Sequence, residues 1–346
     1  MKKTILIFLI SCTVSTLFAQ KDSEDAFLVK SLAGETVKEV DVETSGGNIS
    51  VESAATDKLR VEVFVWPSNG NKKSLSKEVI QKRLDEMYEL KVEVVGNKLT
   101  AFAKPIKKIR DWKNALSISF RVFVTKNVAT HLTTSGGNID LVALSGNHRI
   151  TTSGGNLSIE NVTGKLRGTT SGGNIEVKDS NEDIDLTTSG GNIEADHCTG
   201  TIRLVTSGGS IRLTNLDGNV DAVTSGGDVR ANDIKGDLEA NTSGGNIDLS
   251  ALACNLSTAT SGGNIRVAII TPGKFIRVRN SGGKIDLELP AGKGYDLDLS
   301  ADKIKTDNLT SFNGKAGDDA IEGKLNGGGT QVTADASSGK ITLTFK

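Results

Sequence analysis

Ser171-Gly172-Gly173-Asn174-Ile175-Glu176-Val177-Lys178-Asp179, followed by Ser180-Asn181-Glu182-Asp183-Ile184-Asp185-Leu186-Thr187-Thr188, is one period of a repeat that decides the fold. Ser-Gly-Gly recurs at Ser135, Ser153, Ser171, Ser189, Ser207, Ser225, Ser243 and Ser261, always 18 residues apart, and once more at Ser281 after a step of 20. An isolated early copy stands at Ser45. Self-similarity at a fixed spacing means stacked structural units in place of one globular core.

The apolar positions show what one unit is. With each Ser counted as position 1, position 5 holds Ile139, Leu157, Ile175, Ile193, Ile211, Val229, Ile247 and Ile265. Position 7 is equally apolar, and positions 14 and 16 form a second pair, as in Ile184/Leu186 and Ile202/Leu204. A spacing of two within each pair is strand periodicity with one face buried. Position 10 (Leu144, Val162, Cys198, Leu216, Ile234, Leu252) plugs a corner, and glycines at positions 2, 3 and mostly 12 let the backbone turn. The unit is a coil of two short strands and two corners. A left-handed hexapeptide helix would need an apolar position 11, which reads Ser145, Thr163, Asn181, Thr199, Asp217, Lys235. A calcium-binding nonapeptide roll would need its glycine motif twice per coil. The spacing excludes both, and the fold class is all-β: a single-stranded parallel β-solenoid (β-helix) of 18-residue coils.

Outward from the repeat, residues 21–130 read as a β-rich N-terminal cap containing one helix, residues 76–90, with Ile80, Leu84, Met87 and Tyr88 on its apolar face and Ser76 at its start. Ser45 lies 90 residues before Ser135, five times 18, so this region reads as early coils interrupted by the helix. Residues 131–346 make the solenoid, closed at its far end by looser strands around Tyr295–Leu299 and Lys340–Phe345. The amino terminus has the layout of a signal peptide over residues 1–20: Lys2 and Lys3, an apolar run from Ile5 to Phe18, then Ala19. Leu9-Ile10-Ser11-Cys12 offers a rival in which Cys12 is lipidated. Either route exports the chain to the periplasm, the cell surface or the medium. No other stretch reaches the ~20 apolar residues that a transmembrane helix needs.

The SGGNI coils, Leu289-Pro290-Ala291-Gly292 before Tyr295-Asp296-Leu297, Asn326-Gly327-Gly328-Gly329 and Ser338-Gly339-Lys340-Ile341 together resemble the bacterial putative-adhesin domain family. The resemblance covers residues 37–346 and is strongest from Ser135 onward. It implies an exported, single-domain β-solenoid and supplies no catalytic residues.

Composition narrows the task. With 41 basic and 42 acidic side chains, no charge excess draws the chain to nucleic acid. From Val124 to Lys274 there are 151 residues without Phe, Tyr or Trp, so the coils lack the stacking platforms of a sugar-cleaving cleft. The acidic run Asp179, Glu182, Asp183, Asp185 is the nearest approach to the paired carboxylates of a lyase or hydrolase. His197 with Asp196 and Asp179 is the nearest approach to a metal trio, and His148 reads as a histidine buried at the cap junction. The glycine corners are no phosphate loop, since no helix follows them, and the residues call for no cofactor and no metal. The expected role is adhesion or scaffolding in the envelope, without catalysis. The partner would be an envelope polymer or protein; a carbohydrate-active β-helix enzyme or a regulatory module on a membrane protein are the alternatives. The basic loop Lys107, Lys108, Arg110 around Trp112 is the candidate binding site, with Trp66, Tyr295 and Phe312 as further aromatic anchors in the caps. Position 4 (Asn138, Asn156, Asn174, Asn192) and the Thr at position 18 are expected as polar ribbons along the stack, the Asn amides bonding one another.

Overall fold

A computed structural model describes residues 26–68, 75–107 and 114–346. The repeat folds as its periodicity requires. In the Ser171 coil a short strand, Ile175–Lys178, turns a corner into a longer one, Asn181–Thr188. Each pairs in parallel with its equivalent one coil away: Ile175 lies opposite Ile193, and Asp185 lies between Arg167 and Arg203. The short strands form one face of the stack and the long strands another. Ile175, Val177, Ile184 and Leu186 fill the space between them and are 0–1% exposed. Burying each such side chain contributes about 1.5–3 kcal/mol, so every coil adds a comparable increment and none stands alone.

The Ser45 copy is placed differently from its spacing. Glu39–Thr44 and Ile49–Ser53 pair directly with Ala129–Thr134 and Ile139–Val142, so this coil is the immediate neighbour of the Ser135 coil. The sheet runs across residue 131 without a break. The described residues between the two copies do not form further coils. Arg60–Pro67 runs antiparallel to Leu116–Val124, and Tyr88–Val95 antiparallel to Lys98–Pro105. Leu116–Val124 and Lys98–Pro105 then dock in parallel on the first coil. A parallel ladder leaves unpaired backbone groups at its end; folding the chain back on itself satisfies a layer of them. The helix spans Lys77–Met87, and the last residues of the expected helix already belong to the strand that opens at Tyr88. Ile80 and Leu84 are buried under it, while the Ser76 hydroxyl makes no capping bond.

At the other end the order of strands in space departs from their order in sequence. Thr330–Phe345 pairs on one side with Phe275–Asn280, the last strand of the Ser261 coil, and with Lys284–Leu289, the first of the Ser281 coil, and on its outer side with Tyr295–Thr306. Ala320–Leu325 and Phe312–Ala316 follow as antiparallel strands beyond Tyr295–Thr306.

Candidate interaction surfaces

Which polar groups can meet a partner depends on which ones the stack consumes. Position 18 is consumed. Thr152, Thr170, Thr188 and Thr206 are 1–2% exposed. The Thr188 hydroxyl donates to the Gly173 carbonyl at 2.8 Å and accepts the Gly191 N–H at 3.3 Å, tying one corner to the next. These threonines are therefore an internal seam and not the outward ribbon expected from the sequence. In the coil with the longer step, Asn280 takes over. Its Nδ2 donates to the Gly263 carbonyl at 2.8 Å and its Oδ1 accepts from Gly282 and Gly283.

Position 4 lies on the surface but is also engaged. Asn156 Oδ1 accepts the backbone N–H of Asn174 at 2.8 Å, and the same bond repeats from Asn48 through Asn192 to Ser210. The ladder thus runs from side-chain oxygen to backbone, not between amides. Ser210 and Asp228 preserve it because each carries an acceptor oxygen. Lys284, which has none, stands where the ladder ends. Position 9 is a left-handed corner: Asn161, Asp179, His197, Asn215 and Asp233 have φ between 49° and 55°. Asn and Asp tolerate that conformation better than other side-chain-bearing residues. Their recurrence there was the available signal.

This settles the chemistry-bearing residues. Asp179 holds a left-handed corner and Glu182, at φ 87°, another. Asp183 is paired with Lys165 at 3.5 Å and Asp185 with Arg203 at 3.8 Å. His197 Nδ1 lies 2.9 Å from Asp196 Oδ1 and its Nε2 lies 3.3 Å from Asn215 Nδ2. Among the described residues no group of three His, Cys, Asp or Glu stands together as cation ligands, so Asp179 does not complete a trio. His148 is 3% exposed; its Nδ1 meets Thr130 Oγ1 at 3.0 Å and its Nε2 has no partner. Burial pushes its imidazole down to about 4. Cys198 and Cys254 are buried free thiols, pushed up by burial to about 11 and 12.

The outward charges stack in the expected register but pair selectively. Arg203 bridges Asp185 at 3.8 Å and Asp221 at 3.3 Å. Asp248 is met by Arg266 at 3.9 Å, while Arg230 turns to Asp228 at 2.6 Å instead. Two shallow grooves of about 450 and 360 Å³ adjoin Arg279, one walled by Glu239, Asn241 and Arg277, the other by Ser243, Ser261 and Ser281. Of the basic loop, Lys107 is exposed past the end of Lys98–Pro105, whereas Lys108, Arg110 and Trp112 lie outside the described residues. Tyr295 cannot serve as an anchor: it is fully buried, with its hydroxyl donated to the Pro290 carbonyl at 2.8 Å. Phe312 is half-buried, and Trp66 is 39% exposed.

A stack of parallel coils closed at both ends by antiparallel strands, its threonine seam turned inward and its asparagine ladder on the surface, defines an all-β solenoid without an enclosed site among its described grooves. Residues 131–254 and 178–344 match the model of the Toastrack DUF4097 family, and these stretches cover more than half of the chain. The chain belongs to that family. Among solved structures it is similar to a putative cell adhesion protein from Clostridium sporogenes ATCC 15579, at 12% identity over 92% of this chain and 98% of that one, with a TM-score of 0.19. A putative adhesin from Bacteroides fragilis NCTC 9343 is similar at 14% identity over 93% and 98% of the two chains, with a TM-score of 0.24. At such scores neither likeness informs the arrangement of the coils. No curated protein matches the chain. Among the described residues no helix is long and apolar enough to cross a membrane.

Proposed function

We propose that the protein is exported and acts without catalysis at the cell envelope or surface, adhering to or scaffolding a macromolecular partner along its coil faces. The observation that carries this reading is the division of labour within a coil. Buried polar groups such as Thr188 hold coil to coil, and the outward slots display short polar or ion-paired side chains over a long, open surface. The carboxylates nearest to a catalytic pair, Asp183 and Asp185, are each engaged by a basic residue of a neighbouring coil. An interaction spread over many similar coils is weak per coil and gains strength by addition. The test is retention of envelope polymers and proteins by the immobilised chain from Lys21 onward, in rising salt. Saturable retention of an envelope component is expected. No retention from any envelope fraction, or cleavage of a glycan that Asp183→Asn or Asp185→Asn abolishes, would overturn the reading.

A further inference from the structure

The coil that breaks the period carries two arginines on one exposed strand face. Its long-face strand, Phe275–Asn280, follows a corner in which the Lys274 N–H donates to Asn255 Oδ1 at 2.6 Å and the Gly273 carbonyl accepts from Thr330 Oγ1 at 2.8 Å. Along the strand Ile276, Val278 and Asn280 point inward, which leaves Arg277 and Arg279 exposed on the same side. Residues two apart on a strand are about 7 Å apart at Cα, so the two arginines stand side by side on one face.

What surrounds this pair distinguishes it. Arg203, Arg230 and Arg266 each have a carboxylate within 4.0 Å, whereas Arg149, Arg167 and Arg212 have none among the described residues; what sets Arg277 and Arg279 apart is their place together beside a groove. Arg277 lies between Ser257 and Thr333, and Arg279 between Ala259 and Asp335. Asp335 accepts the Ser337 hydroxyl at 3.0 Å, and among the described residues neither arginine makes an ion pair. Arg277 is braced by the Phe275 ring, 4.2 Å from its guanidinium carbon. Ser257 and Ala259 make a low floor beside the pair, and Glu239 and Asn241 form the opposite wall of the groove of about 450 Å³. Glu239 accepts from Asn241 Nδ2 at 3.0 Å and keeps further acceptor positions. The aromatic-free part of the chain ends at Lys274, one residue before this brace.

We propose that this groove binds the uronate units of an acidic polysaccharide. The planar guanidinium groups of Arg277 and Arg279 take the sugar carboxylate through paired N–H donors, the geometry in which arginine outperforms lysine. Glu239, Asn241 and Ser257 take the ring hydroxyls. The groove is open along the coils, so a polymer can pass through it without a free end. This assignment rests on the partner-binding reading above and names its chemistry.

The test is calorimetric titration of the chain from Lys21 onward with oligogalacturonate at physiological salt, with dextran sulfate and neutral dextran as comparison polymers. Oligogalacturonate is expected to bind in preference to both. Replacing both arginines by alanine should weaken it about tenfold or more, and Arg277→Lys should recover only part of the loss. Arg203→Ala with Arg266→Ala, which removes the same charge from paired sites, should leave affinity unchanged. Both double variants alter exposed side chains, and unchanged melting temperatures verify their fold. Failure of oligogalacturonate to bind, equal loss in the two double variants, or equal affinity for dextran sulfate would overturn the proposal. If envelope fractions are still retained in any of those cases, only the uronate assignment falls; if they are not, the partner-binding reading falls too.

Discussion

The Thr188 hydroxyl donates to the Gly173 carbonyl at 2.8 Å, joining the last residue of a coil to the corner where that coil began. It accepts the Gly191 N–H as well, so one side chain serves two backbone groups. Thr188→Val keeps the shape and leaves both groups without that partner in a buried corner. A loss of about 1–3 kcal/mol is expected, with Thr188→Ser losing less. Urea denaturation of the three proteins measures it; equal stability of the valine variant and the parent would contradict the seam.

The two glycines of a corner should behave in opposite ways. A Cβ on Gly173 would lie 1.9 Å from the Gly155 carbonyl oxygen, so Gly173→Ala forces adjacent coils apart. We expect a loss of ~3 kcal/mol or more, at the upper end of overpacking effects. A Cβ on Gly172 meets nothing nearer than 3.7 Å, and its backbone is not left-handed. Gly172→Ala should be neutral or stabilising by up to ~1 kcal/mol, because it restricts the unfolded chain. Thermal melts in which both substitutions cost the same would show that close approach is not what keeps position 3 glycine.

His148 makes stability depend on pH. Its imidazole titrates near 4 when folded, against an ordinary value of 6.5, because burial disfavours the charged form. The unfolded chain therefore takes up this proton first as pH falls. Stability from this residue is complete above 6.5 and is lost progressively toward 4, by roughly 3 kcal/mol in all. Replacement by leucine should remove this dependence, so the stability difference between variant and parent should change by about that amount between pH 6.5 and 4. Parallel stability curves between those limits would mean that the histidine is not buried neutral.

Cys198 and Cys254 should stay reduced even in an oxidising compartment. They are separated by three coils, about 14 Å at the strand spacing, beyond the ~7 Å reach of a disulfide. Burial also holds both thiols protonated at neutral pH. Ellman's reagent should react slowly with the folded protein and with both thiols once it is unfolded. A mass gain of two hydrogens on reduction of the monomer would refute this.

The coil was legible because its apolar pairs at positions 5 and 7, and at 14 and 16, carry the strand period openly. The same parity places position 18 indoors with 14 and 16, so the buried threonines were readable from spacing; their polarity concealed it. Position 4 carried a quieter signal, since Asn, Ser and Asp share an acceptor oxygen and little else. The Ser45 coil was misleading because a multiple of 18 does not distinguish five stacked coils from one coil followed by an excursion. Nor does local pattern reveal which strand an end strand will choose, as with Thr330–Phe345: its alternation fits any parallel neighbour. Arg277 and Arg279 were visible as residues, but which side chains they meet depends on register across the uneven step.

The placement of Thr330–Phe345 between Phe275–Asn280 and Lys284–Leu289 on one side and Tyr295–Thr306 on the other has a consequence in time. A chain threaded through a membrane amino end first can zip its coils one after another as they emerge. The far end cannot close in that manner, because the layer made earlier must wait for the one delivered later. Until residues 330–345 arrive, Phe275–Asn280 and Lys284–Leu289 stay open to whatever strand is nearby, including one from a sister molecule. For a chain that emerges in that order, the last stage of emergence is thus the moment of greatest exposure to misjoining, and shielding at that stage would matter more than at any other.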